Sequence, residues 1–75
     1  MAKSERAEVT VADWVVLEFG KVWGFVDSRI QIAFVRATVL KFIVTHSLTL
    51  TADEIESLTV KARVVLASRQ FAIEE

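Results

Sequence analysis

The chain has 75 residues, 53% of them apolar, and a formal net charge of −1 at pH 7. A chain of this length forms one domain at most, residues 1–75, and buries only about 60% of its unfolded surface. It has no cysteine and a single histidine, which excludes disulfides, thiolate metal sites and a histidine cluster within one chain. Self-association or docking on a larger partner is the remaining way to stabilise so small a core.

The first predicted element is a helix over residues 10–26, preceded by a flexible N-terminal tail over residues 1–8. Apolar residues recur in this helix at spacings of three and four. Trp14, Leu17 and Phe25 lie off the main apolar stripe. Because large exposed aromatic side chains often anchor interfaces, these three are candidate interface residues. The alternative is that they complete the core of the monomer.

The N-terminal sequence also bears on localisation. Its first ten residues, MAKSERAEVT, are mixed in charge and are followed by no clean apolar region. This is unlike a secretory signal peptide, and we expect a cytoplasmic protein by default.

The second predicted element is a helix over residues 28–46, with two apolar faces. One face is formed by Ile32, Val35, Val39, Phe42 and Ile43, and the other by Ile30, Ala33, Ala37, Leu40 and Val44. We expect the first face to pack on the C-terminal helix and the second to be covered by the N-terminal helix or by a partner. The alternative is a β-meander over residues 9–50 followed by one helix, because this region is rich in β-branched residues.

Charge sets the second element apart from its neighbours. Residues 28–52 contain Arg29, Arg36 and Lys41 and no acid, whereas residues 1–27 and 53–75 each have a net charge of −2. We expect these cations to pair with the acidic flanking segments. The alternatives are a solvent-facing basic patch for nucleic acid, or a small membrane-associated oligomer. Both are disfavoured, because three cations are a weak electrostatic footprint and Arg36 would lie in the middle of a membrane span.

The third predicted element is a helix over residues 52–72, which begins at a capping box. Thr51 and Glu54 have the T-x-x-E spacing in which each side chain accepts the other residue's backbone N–H. One apolar stripe of this helix is expected to pack into the core. Val60, Val64 and Phe71 form a second stripe, which makes them candidate interface residues as well.

The sequence lacks a recognisable catalytic or metal-binding motif. His46 is expected to end the second helix, and Asp53, Glu54 and Glu56 are expected to complement the dipole at the start of the third. We therefore expect no enzyme activity, no cofactor and no metal. The sequence favours an all-α bundle of about three helices, completed by oligomerisation. Its expected function is that of a structural or protein-interaction module that self-associates or joins a larger assembly.

Overall fold

The chain folds into three helices that each pack against the other two. The structure is a computed structural model, and it describes residues 3–71 and residue 73. The elements are α1 (Lys3–Phe19), a 3₁₀ turn (Trp23–Phe25), α2 (Ser28–Thr45) and α3 (Ala52–Ser68). No strand occurs within the described ranges. The prediction of an all-α, three-helix bundle is confirmed, and the alternative of a β-meander is wrong.

Helix α1 is displaced toward the N-terminus relative to the prediction of 10–26. Residues 3–8, predicted as part of a tail, form its first turns, while residues 1 and 2 lie outside the described part. The helix ends before Gly20, whose N–H donates to the Val16 carbonyl at 3.0 Å. A Cβ at Gly20 would lie 2.5 Å from that oxygen, so this helix end requires glycine. The apolar spacing continues past Gly20, and for this reason periodicity alone placed the helix end too late.

Helix α2 matches its predicted bounds to within one residue, and both of its ends have identifiable caps. At the start, the Asp27 carboxylate accepts the N–H of Ile30 at 3.0 Å. At the end, Ser47 has a left-handed backbone with φ of 53°. The Leu48 N–H then donates to the Ile43 carbonyl at 2.9 Å, which is the long-range bond of a Schellman motif.

Helix α3 begins where the capping box predicted. The Glu54 N–H donates to Thr51 Oγ1 at 3.2 Å, and the Thr51 N–H donates to Glu54 Oε1 at 3.0 Å. The helix ends at Ser68 instead of residue 72, which itself lies outside the described residues. A second Schellman motif stops it, because Gln70 has φ of 65° and the Phe71 N–H donates to the Leu66 carbonyl at 2.8 Å.

The core is made of ten buried apolar residues from all three helices and the 3₁₀ turn. They are Val11, Ala12, Val15, Trp23, Val35, Val39, Phe42, Leu58, Ala62 and Leu66. Two buried threonines, Thr38 and Thr59, each donate their hydroxyl to the carbonyl four residues earlier, which satisfies them inside their own helix. Buried Gln31 donates to the Trp23 carbonyl at 2.6 Å and so fixes the turn between α1 and α2.

Replacing Thr51 with alanine should destabilise the protein through the α3 cap. The substitution removes the side-chain acceptor for the Glu54 N–H and should lower the free energy of unfolding by about 0.5–2 kcal/mol. Chemical denaturation followed by circular dichroism measures this change. Thr49→Ala is the matched control, because Thr49 is exposed and lies before the cap. An equal loss in both variants would contradict the capping role.

The same cap predicts a dependence of stability on pH. The backbone N–H of Thr51, with a smaller contribution from its side chain, lowers the pKa of Glu54 below its ordinary value of 4.5. Because the pKa is lowered in the folded state, the ionised Glu54 carboxylate stabilises the fold. This stabilisation is fully present above the ordinary pKa and is lost as the pH falls through the lowered pKa. Glu54→Gln should therefore flatten the acidic limb of a stability–pH profile. An unchanged acidic limb in that variant would contradict the assignment.

Candidate interaction surface

The fold leaves a large apolar surface uncovered. In the described part of the chain, ten large apolar side chains are exposed, as many apolar residues as are buried in the core. They are Val9, Leu17, Val22, Phe25, Ile30, Leu40, Val44, Leu48, Val60 and Val64. Single exposed apolar residues are normal on a protein surface, so the informative question is which of them form a contiguous patch.

A contiguous stripe of exposed apolar residues runs along α2. It consists of Ile30, Ala33, Ala37, Leu40 and Val44, which we call the α2 outer face. Leu40 is 46% exposed and Val44 is 78% exposed. The residues follow one another at alternating spacings of three and four, the spacing of the seam in a coiled coil.

The opposite side of α2 faces the core, which explains why the α2 outer face is free. Val35, Val39 and Phe42 are buried there, and Phe34 stacks on Phe19 of α1 with ring centroids 4.0 Å apart. Both neighbouring helices therefore pack on the inner side and the flanks of α2. Of the two expected coverings of the second apolar face, the N-terminal helix or a partner, α1 does not provide the first in the monomer.

Ion pairs flank the α2 outer face on both sides. Arg36 donates to Glu56 of α3 at 2.9 Å, and Lys41 donates to Glu18 of α1. Both pairs are solvent-exposed, so each is worth about 0–1 kcal/mol of stability. Of the three residues in the candidate basic patch, Arg36 and Lys41 thus pair with acids of neighbouring helices, and Arg29 is exposed at the start of α2.

Two of the six candidate interface residues pack inside the monomer. The Trp14 ring is half-buried, with its centroid 5.6 Å from that of Phe42, and it stacks on His46 at 6.2 Å. The half-buried Phe71 ring meets Trp23 edge to face at 6.3 Å. For Trp14 these contacts favour the alternative that it completes the core. Phe71, which was predicted only as an interface residue, packs against the core as well.

The other four candidate interface residues are exposed at separate places. Leu17 on α1 is 82% exposed, and Phe25 in the 3₁₀ turn is 88% exposed. On α3, Val60 and Val64 border a shallow groove of about 330 Å³. None of these residues belongs to a stripe as long as the α2 outer face, which spans most of its helix.

A larger cavity of about 420 Å³ lies between the start of α1, the end of α2 and the start of α3. Its lining is Ala7, Phe42, His46, Leu48, Leu50, Glu54, Ser57, Leu58 and Lys61. This volume is within the range of small-molecule sites. Two of its polar side chains, however, are already engaged, because Glu54 belongs to the capping box of α3 and the His46 ring stacks on Trp14. The α2 outer face is therefore the stronger candidate site.

Within residues 3–71 and 73, no three potential metal-ligating side chains come together. None of the helices in those ranges is long and apolar enough to cross a membrane.

Comparisons with known proteins add no assignment to this surface. No protein-family model matches the sequence, and the searches of curated proteins and of solved structures found no significant match.

Proposed function

We propose that this protein is a non-catalytic structural module that self-associates through the α2 outer face. The observation that carries the proposal is the uncovered stripe of five apolar residues with coiled-coil spacing on a helix whose other side is already buried. A helix with two apolar faces buries the second face against another chain, because leaving it in water forfeits its hydrophobic stabilisation.

The size of the domain supports the same proposal. A 75-residue domain without disulfides has a small core, and association is the usual supplement. Burial of apolar area contributes about 25 cal/mol per Å², so covering the α2 outer face in two copies adds stability that the monomer lacks.

Charge pairing supports a protein partner over nucleic acid. The Arg36 and Lys41 side chains are held by Glu56 and Glu18 at the edges of the α2 outer face. A surface that binds phosphates presents unpaired cations, and its affinity falls steeply with salt. The α2 outer face instead presents an apolar centre with neutralised edges, which is the usual organisation of a protein interface.

A dilution series followed by backbone NMR tests the proposal residue by residue. Dilution from millimolar to low micromolar concentration should shift the amide signals of α2 between Ile30 and Val44, while those around Leu17 stay fixed. Shifts confined to Val60 and Val64 would instead place the interface on α3. A spectrum unchanged by dilution, with the relaxation of a single chain, would contradict self-association.

A further inference from the structure

The pattern of side chains on the α2 outer face determines how two copies fit together. We infer that the two α2 helices pair antiparallel, with Ala33 of one copy opposite Val44 of the other and Ala37 opposite Leu40. This inference rests on the proposed self-association and adds the orientation and register of the two chains.

Side-chain volume is the first reason. Along the α2 outer face, two alanines stand in the middle and Leu40 and Val44 follow. In the inferred register each of the four layers combines one alanine with one larger residue, so their volumes match. Ile30 lies beyond these layers, opposite Ser47 of the second copy, where α2 has ended. A parallel pair would place alanine on alanine and leucine on leucine, which leaves gaps in some layers and overfills others. Well-packed interfaces have the density of protein interiors, so the inferred antiparallel register, with matched volumes in its layers, is favoured.

Charge is the second reason, and it is independent of volume. In a parallel, in-register pair, a residue that precedes one seam position contacts the residue of the other helix that follows the next seam position. Arg36 precedes the seam position Ala37, and Lys41 follows the next one, Leu40. Arg36 would then lie against Lys41 of the second copy, twice over by symmetry. Because Arg36 and Lys41 flank the seam on opposite sides, toward α3 and α1, a parallel pair cannot avoid this contact.

The other antiparallel register that forms four layers, shifted by one heptad, brings like charges together as well. If Ile30 lay opposite Leu40, Arg36 would lie beside Arg36 of the second copy, and Ala33 would lie opposite Ala37. In the inferred register, Arg36 comes beside Ile43 and Lys41 beside Phe34 of the second copy. Each cation can then keep its partner within its own chain, Glu56 or Glu18. The inferred register is thus the one of the three in which no two cations meet.

Disulfide trapping tests the inference directly, because the natural sequence has no cysteine. Ala33→Cys and Val44→Cys are made separately, mixed in equal amounts and equilibrated in a glutathione redox buffer. Both positions are exposed, so neither change disturbs the core. Intact-mass spectrometry identifies each cross-linked species. Leu17→Cys, exposed but away from the α2 outer face, measures cross-linking by random collision.

The mixed disulfide should be the main product, with each like pair at the level of the Leu17→Cys control. In the inferred register two copies of residue 33 lie about 16 Å apart along the helix axis, given a rise of 1.5 Å per residue. This separation is too long for a disulfide, whose Cα atoms are about 4.4–6.8 Å apart. Like pairs of both variants would show a parallel dimer and overturn the inference, while leaving the proposed function intact.

A dimer by sedimentation that gives no disulfide above the control would overturn this inference, because residues 33 and 44 of two copies then do not meet. A single-chain mass at every concentration would overturn the proposed function itself.

Discussion

Leu66→Ala is expected to lower the free energy of unfolding by about 2–5 kcal/mol, because it opens a cavity in a fully buried position. Leu66 has no solvent exposure and lies on the face of α3 that packs into the core. Its carbonyl also accepts the Phe71 N–H at the end of α3, but the substitution leaves the backbone group in place. The expected loss is a large part of the total stability of a domain of this size.

Leu17→Ala is the matched control for this prediction. It removes the same atoms from a side chain that is 82% exposed, so it should change the stability by less than about 0.5 kcal/mol. Urea denaturation at one protein concentration measures both variants. Equal effects of the two substitutions would contradict the assignment of Leu66 to the core.

Leu40→Glu is expected to dissociate the self-associated form without unfolding the monomer. In a two-fold symmetric pair, the substitution places a carboxylate in the apolar seam of both copies, opposite alanine. Removing two carboxylates from water in this way should raise the dissociation constant by roughly 100-fold or more. Glutamate and leucine have similar helix propensities and Leu40 faces away from the core, so the helix content should be retained.

Leu17→Glu is the corresponding control, since it makes the same change at an exposed leucine outside the α2 outer face. Light scattering coupled to size exclusion, with circular dichroism of the same samples, compares the two variants. If Leu17→Glu dissociated the protein and Leu40→Glu did not, the interface would lie on α1 and the proposal would fail.

The start of α3 and the extent of α2 could be predicted because their signals are local. The Thr51–Glu54 spacing specifies a cap whichever way the chain packs, and the apolar spacing of α2 runs without a break. The helix C-termini were harder to predict, because the left-handed residues that end them are Ser47 and Gln70 instead of glycine. Asp27, a residue type favoured at N-caps, also indicates the start of α2, although it was not predicted as the cap.

The candidate surface could be predicted only in part. Sequence spacing placed Ile30, Leu40 and Val44 on one side of α2, but it could not show whether α1 would cover that side. That outcome depends on where α1 lies, which long-range packing decides. For the same reason, Trp14 off the main stripe of α1 could not be assigned between the core and an interface. The structure packs its ring against Phe42.

Sedimentation equilibrium of the unmodified chain over a range of micromolar concentrations tests self-association most directly. We expect a mass that rises with concentration toward twice the 8.4 kDa of one chain. Raising the salt concentration should change this mass little, because the seam is apolar and its flanking cations are neutralised within each copy. A mass that stays at 8.4 kDa across the whole range would contradict self-association.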